Sequence, residues 1–235
     1  MARCANDLAN AFTHVLVDIF ERPLQDIPLR FAKYFVTIVN KACTCKEIMM
    51  EIDHDNVKDL AEQLLTRLLI ENLDKIGENK EGELILKNLN ASMLRQLENC
   101  NPTYIFCVLF TLLKKYKDYT VLPKLPGLII KCLLKLSKIL EKIIYQLQID
   151  KILLVIHEYL VCINHENKTA NDEMGIRIVK TVVNEVVKVK REGIWEHYQV
   201  VECHNQRDND IGRWITIILK SFGSNAAAGP VTSEA

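Results

Sequence analysis

Eight cysteines and six histidines are the side chains of this 235-residue sequence best suited to chemistry. The cysteines are Cys4, Cys43, Cys45, Cys100, Cys107, Cys132, Cys162 and Cys203. Only Cys43 and Cys45 are close, and Cys-x-Cys is not the spacing of a zinc knuckle. Most of the others sit in apolar runs such as Ile105-Phe106-Cys107-Val108. They are expected to be buried, reduced and structural, which implies an intracellular compartment. The histidines form neither His-x-x-x-His nor His-Glu-x-x-His, the spacings that set two imidazoles on one helical face. His197, Cys203 and His204 are neighbours with irregular spacing and no second cysteine pair, so they suit a loop better than a metal site. No Gly-x-Ser-x-Gly elbow occurs, and the eight glycines are scattered, so no loop is built to cradle phosphate. A Cys–His pair assembled from distant positions would leave no spacing signature. The expectation is a chain that is not an enzyme, with no catalytic residue, metal or cofactor.

Lysine is the other reactive type, and its distribution is uneven. The sequence has 30 basic and 30 acidic side chains and no net charge. Residues 1–100 sum to −4, 101–200 to +5, and the remainder to −1. Lys114, Lys115, Lys117 and Lys124, with Tyr119, lie in or beside a connection between two apolar segments. Lys131, Lys135, Lys138 and Lys142 follow at intervals of four, three and four, which on one continuous helix share a face. A solvated outer face explains such a row. A basic surface that steers an acidic partner explains it too. Acidic coiled coils, tubulin and nucleic acid have the required charge. No interleaved aromatic platform accompanies the lysines, so nucleic acid is not expected as a partner.

The elements that carry these residues follow from apolar spacing. Gly and Pro together are only 14 residues, too few for a protein of many strands and turns. Period 3.6 prevails over period 2 almost everywhere. Helices are expected over 5–20, 28–42, 55–75, 80–99, 102–117, 126–147, 149–163, 172–191, 193–201 and 208–222. The 28–42 segment places Phe31, Phe35, Ile38 and Val39 on its apolar face. Pro102 behind Asn101 marks a helix start. The Val-rich 172–191 segment recurs in steps of three and four, a helical stripe and not a strand alternation. Trp195 and Trp214 are expected as core anchors. Taken in pairs, the helices repeat about every 44–50 residues, close to the ~40–47 of HEAT and armadillo arrays. The expected fold is all-α, an α-solenoid of about five HEAT-type hairpins forming one domain over 1–222. Residues 223–235 are small and polar and are expected to be a disordered tail or linker. The longest uncharged apolar stretch, 101–113, is shorter than the ~20 residues of a membrane span. With no signal-peptide core at the N-terminus, a soluble cytoplasmic domain without a membrane partner is expected.

Four strings in series give a more specific indication. They are Glu81-Gly82-Glu83-Leu84-Ile85-Leu86-Lys87-Asn88-Leu89-Asn90; Leu128-Ile129-Ile130-Lys131-Cys132-Leu133; Ile149-Asp150-Lys151-Ile152-Leu153-Leu154-Val155-Ile156-His157; and Ile176-Arg177-Ile178-Val179-Lys180-Thr181-Val182-Val183. Their order and spacing resemble the divergent C-terminal TOG-like HEAT region of the ch-TOG and Mini spindles family of microtubule polymerases. The resemblance is strong over 80–222 and weaker over 1–79. It implies a monomeric, non-enzymatic interaction module in spindle assembly and microtubule plus-end growth, placed at centrosome or spindle. Tubulin-binding TOG domains use their intra-repeat loops, aromatic in the first and basic in later ones. Here the first loop, 21–26, has no Trp, and the second, 77–81, is mixed in charge. The resemblance therefore implies recruitment through a TACC-type acidic coiled coil. Direct binding of tubulin is the alternative, and a generic helical adaptor a further one.

Overall fold

A chain rich in helical stripes and poor in turn residues satisfies its backbone N–H and C=O groups within its own helices. In a computed structural model the regular elements are accordingly helical throughout the described residues, which are 1–77, 80–163, 169–202 and 210–226. The α-helices are α1 (Ala2–Phe20), α2 (Leu29–Thr44), α3 (Lys46–Met50), α4 (His54–Arg67), α5 (Glu81–Asn99) and α6 (Pro102–Tyr116). They continue with α7 (Leu125–Ser137), α8 (Leu140–Ile143), α9 (Ile149–Val161), α10 (Ala170–Lys190), α11 (Ile194–Glu202) and α12 (Asp210–Ala226). Several starts are written locally. Asp53 caps α4 through the Asn56 N–H, and Asn101 caps α6 ahead of Pro102. Thr169 and Asp172 form a reciprocal capping box on α10.

The chain divides into two compact units, Met1–Leu136 and Ser137–Ala235. In the first, helices stack on the like member of the next hairpin. One layer runs α1, α4, α6, and the other runs α2, α5. Side chains show that stacked helices are parallel. Asn6 accepts from the Asp53 N–H near the starts of α1 and α4, and Arg67 faces Glu21 at their ends. Lys33 meets Glu81, Asn88 donates to Thr37, and Asn99 donates to the Cys43 carbonyl along α2 and α5. Helix α6 is wrapped on most sides, with Ile105 through Phe110 all buried. A helix apolar around its circumference must be interior.

The second unit repeats the rule: α9 packs on α11, and α10 on α12 and α8. The valine stripe Val179, Val182, Val183, Val186 and Val187 is buried, so the helical reading of that segment holds. Gly175 lets α9 and α10 approach closely; a Cβ there would lie 1.9 Å from the Tyr159 hydroxyl oxygen.

The structure departs from expectation in several places. The 55–75 helix ends at Arg67, and a short 3-10 turn, Leu73–Lys75, follows Asn72 in the left-handed region. The 126–147 helix breaks after Ser137, because Ile139 at φ −106° and ψ 0° lies outside the helical well. On α2 the buried face is Ala32, Val36, Val39 and Cys43, so Phe31 and Ile38 point outward. Finally, α12 extends to Ala226, four residues beyond the expected end.

Candidate interaction surface

The described hairpin connections of the first unit, 21–28, 68–77 and 117–124, lie side by side because the hairpins stack in parallel. The connections also touch the helix ends that flank them. Arg67 Nη2 is 3.9 Å from Glu21, and the Leu29 side chain fills the space beside Gly77, where a Cβ would come within 2.7 Å. Gly77 holds φ +86°, a conformation glycine adopts without penalty. Leu69 and Glu71 share a recess of about 110 Å³ with Val121, Leu122, Pro123 and Lys124. Burial pushes the Arg67 guanidinium below its ordinary pKa, while the charge of Glu21 acts the other way.

The lysines of this edge are largely engaged within the protein. Lys115 Nζ donates to Glu62 at 2.6 Å, and the Tyr116 hydroxyl donates to the same carboxylate. Burial opposes the charge on Lys115 most strongly, but the hydrogen bonds and charges of Glu62 and Tyr116 together outweigh it and raise its pKa. The Tyr116 phenol is raised as well, by burial and then by the bond to Glu62. Lys117 pairs with Asp118 at 2.9 Å. Tyr119 is exposed and meets Tyr116 edge-on at 5.2 Å between ring centres. Lys114 is half-buried on the last turn of α6. Lys124 is exposed and has no ion-pair partner among the described residues.

Lys131 and Lys135 sit on α7, with Lys135 at 3.4 Å from Glu98 of α5 and Lys131 exposed. Lys138 falls in the turn after α7, and Lys142 on α8. The expectation that Lys131, Lys135, Lys138 and Lys142 share one helical face is therefore corrected. The helix that would align them is interrupted at 138–139, and Lys138 and Lys142 belong to the second unit. Lysine spacing could not reveal this, because Ser137-Lys138-Ile139 contains neither Gly nor Pro.

Trp195 and Trp214 are half-buried, not core anchors. Lys180 lies over the Trp214 ring at 5.1 Å, and both line an apolar groove of about 400 Å³ with Asn184, Ile217 and Ile218. Cys43, Cys100, Cys107 and Cys132 are buried as expected, whereas Cys4 is exposed and Cys203 lies outside the described residues. Burial pushes the Cys43 thiol up to about 12 and the Cys132 thiol to about 11. His204 is also outside the described residues. Among the described residues no three His, Cys, Asp or Glu side chains converge as metal ligands. None of the helices among them is long and apolar enough to cross a membrane.

Two side-chain sets of the first unit escaped the sequence. Glu62 gave no local signal, since its partners lie 53 and 54 residues away. The outward row Phe31, Tyr34 and Ile38 on α2 is as apolar as the stripe that faces the core, so hydrophobicity does not tell the two apart.

Stacked parallel hairpins with a loop-lined edge define a helical-repeat protein of the HEAT type. The chain is 27% identical to Protein MOR1 of Arabidopsis thaliana over 98% of its own length, and 29% identical to Protein MOR1 of Oryza sativa over 94%. It is 25% identical to Protein mini spindles of Drosophila melanogaster over 74%. The chain is thus similar to the MOR1 and mini spindles proteins over most of its length. It spans about an eighth of the length of the MOR1 proteins it matches, 12% of each. No family model matches the sequence, and no solved structure matches it.

Proposed function

We propose that this chain is a non-enzymatic interaction module of a microtubule-associated protein. It acts in spindle assembly and plus-end growth, and brings partners to the centrosome or spindle. The observation that carries the reading is the similarity to MOR1 over 98% of the chain, in a fold of stacked hairpins. The names mini spindles and Centrosomal protein 224, the latter of Dictyostelium discoideum, support the localisation. The partner is a TACC-type acidic coiled coil, met by the exposed Lys124 and Lys131 of the first unit, with Lys114, Lys115, Lys117, Tyr119 and Lys135 around them. Lys138 and Lys142 belong to the second unit. A labelled TACC coiled-coil fragment should bind the chain more weakly when Lys124 and Lys131 are both changed to Glu. Unchanged binding would sink the role of that face.

Direct tubulin binding is the second reading, favoured by the adjacency of the three hairpin connections. Internal pairing of Lys115 and Lys117 leaves that edge weakly basic, so the contact should be salt-sensitive. Size-exclusion with soluble tubulin at low and physiological salt tests it. No co-elution even at low salt would reject it.

A further inference from the structure

Helix α2 has two apolar faces. Ala32, Val36, Val39 and Cys43 are buried, and Lys33 and Thr37 meet α5. Away from both, Phe31, Tyr34 and Ile38 are 54%, 57% and 56% exposed. Phe31 is not loose: it stacks on Phe35 at 6.0 Å, and Phe35 meets Phe12 of α1 edge-on at 6.0 Å. The outward ring therefore caps a three-ring ladder rooted in the core. With Lys41, the row is spaced three, four, three, which is the seam spacing of a coiled coil. It runs roughly 15 Å along the axis at a rise of about 1.5 Å per residue.

Charge narrows the occupant. Helix α2 carries Arg30, Lys33 and Lys41 and no carboxylate. Lys33 is satisfied by Glu81 at 3.0 Å. Arg30 and Lys41 are exposed at the two ends of the row, with no ion-pair partner among the described residues. A second copy of this chain fits badly. Antiparallel α2 helices would set Arg30 against Lys41, and parallel ones like against like. The patch is also small. Three half-exposed side chains offer roughly 300 Å², against about 800 Å² per partner in a stable interface between folded proteins.

We propose that the outer face of α2 docks an amphipathic α-helix of another protein, with an apolar seam laid on Phe31, Tyr34 and Ile38 and carboxylates flanking it that pair with Arg30 and Lys41. The surface is distinct from the lysines of the hairpin edge. The probe is a fluorescein-labelled three-heptad peptide, Leu and Ile at the seam and Glu at the flanks, titrated with the full chain and read by anisotropy. A second peptide carries Lys at the flanks. The Glu-flanked peptide should bind, and F31S/I38S should weaken it about tenfold or more. R30E/K41E should transfer preference to the Lys-flanked peptide. Circular dichroism keeps loss of fold apart from loss of the surface, and the charge-reversal variant leaves the apolar row intact. No binding, equal binding of both peptides, or wild-type affinity in F31S/I38S would overturn the proposal. A concentration-dependent dimer that F31S/I38S abolishes would overturn it in favour of a second copy. The assay contains neither tubulin nor a TACC fragment, so its failure is distinguishable from failure of the microtubule reading.

Discussion

Replacing Glu62 by Gln should weaken the fold and strengthen its basic edge at once. Glu62 is the acceptor for both Lys115 and Tyr116, which ties α4 to the end of α6. The Lys115 side chain is 55% exposed, and such pairs contribute about 0–1 kcal/mol. Tyr116 is buried, and a hydrogen bond to a charged acceptor is worth about 1.5–3 kcal/mol. Glutamine keeps one acceptor oxygen, so roughly half of that survives, and the net loss is about 1–2 kcal/mol. For a chain of this length the melting temperature should fall by about 2–8 °C. The phenol adds a pH signature. Its pKa is raised in the fold, so its contribution is complete below the unfolded value of about 10 and is lost as pH rises through the folded one. The E62Q penalty should therefore be full at neutral pH and shrink above about pH 10. Meanwhile Lys115 is released from its neutralising partner. One extra charge at about 7 Å from an acidic ligand in water is worth ~0.6 kcal/mol, or about threefold in affinity for a polyglutamate peptide at low salt. Thermal melts across pH, with peptide titrations alongside, read both effects. An unchanged melting temperature, or weaker peptide binding, would refute the reasoning.

Two further outcomes are expected. Gly175→Ala puts a methyl group 1.9 Å from the Tyr159 hydroxyl, so overpacking of about 1–3 kcal/mol should outweigh the ~1 kcal/mol helix-propensity gain. A melt showing stabilisation would contradict the close α9–α10 approach, and Tyr159→Phe in the same chain should recover part of the loss. With a disulfide reagent at pH 8, exposed Cys4 should react far sooner than Cys43 or Cys132, whose thiols at about 12 and about 11 stay protonated as well as buried. Equal rates for Cys4 and Cys43 would mean that the α2–α5 packing is open.

How much of this was legible in the sequence depends on the range of each interaction. Helix starts were readable because a cap and its N–H lie within three residues, as at Asn101-Pro102. The hairpin order was readable because apolar spacing reports which face is covered. The break at 138–139 was not, since no residue there forbids a helix and the surroundings decide. Phe31 and Ile38 read as inward-facing because hydrophobicity alone does not separate a core stripe from a second one on the far side of α2. Of the lysines, sequence supplied positions but not partners. Glu62, Asp118 and Glu98 take up much of the charge that the counts suggested was free.

In the first unit α1, α2 and α4 each rest on the helix that starts about half a hundred residues later. The most extensive packing of that unit is then between adjacent hairpins. Such a stack tolerates editing by whole repeats: a hairpin removed or duplicated leaves each remaining helix beside a neighbour of the same kind and direction. An insertion inside a helix has no such escape, because it rotates every side chain beyond it by about 100° and turns the buried face toward water.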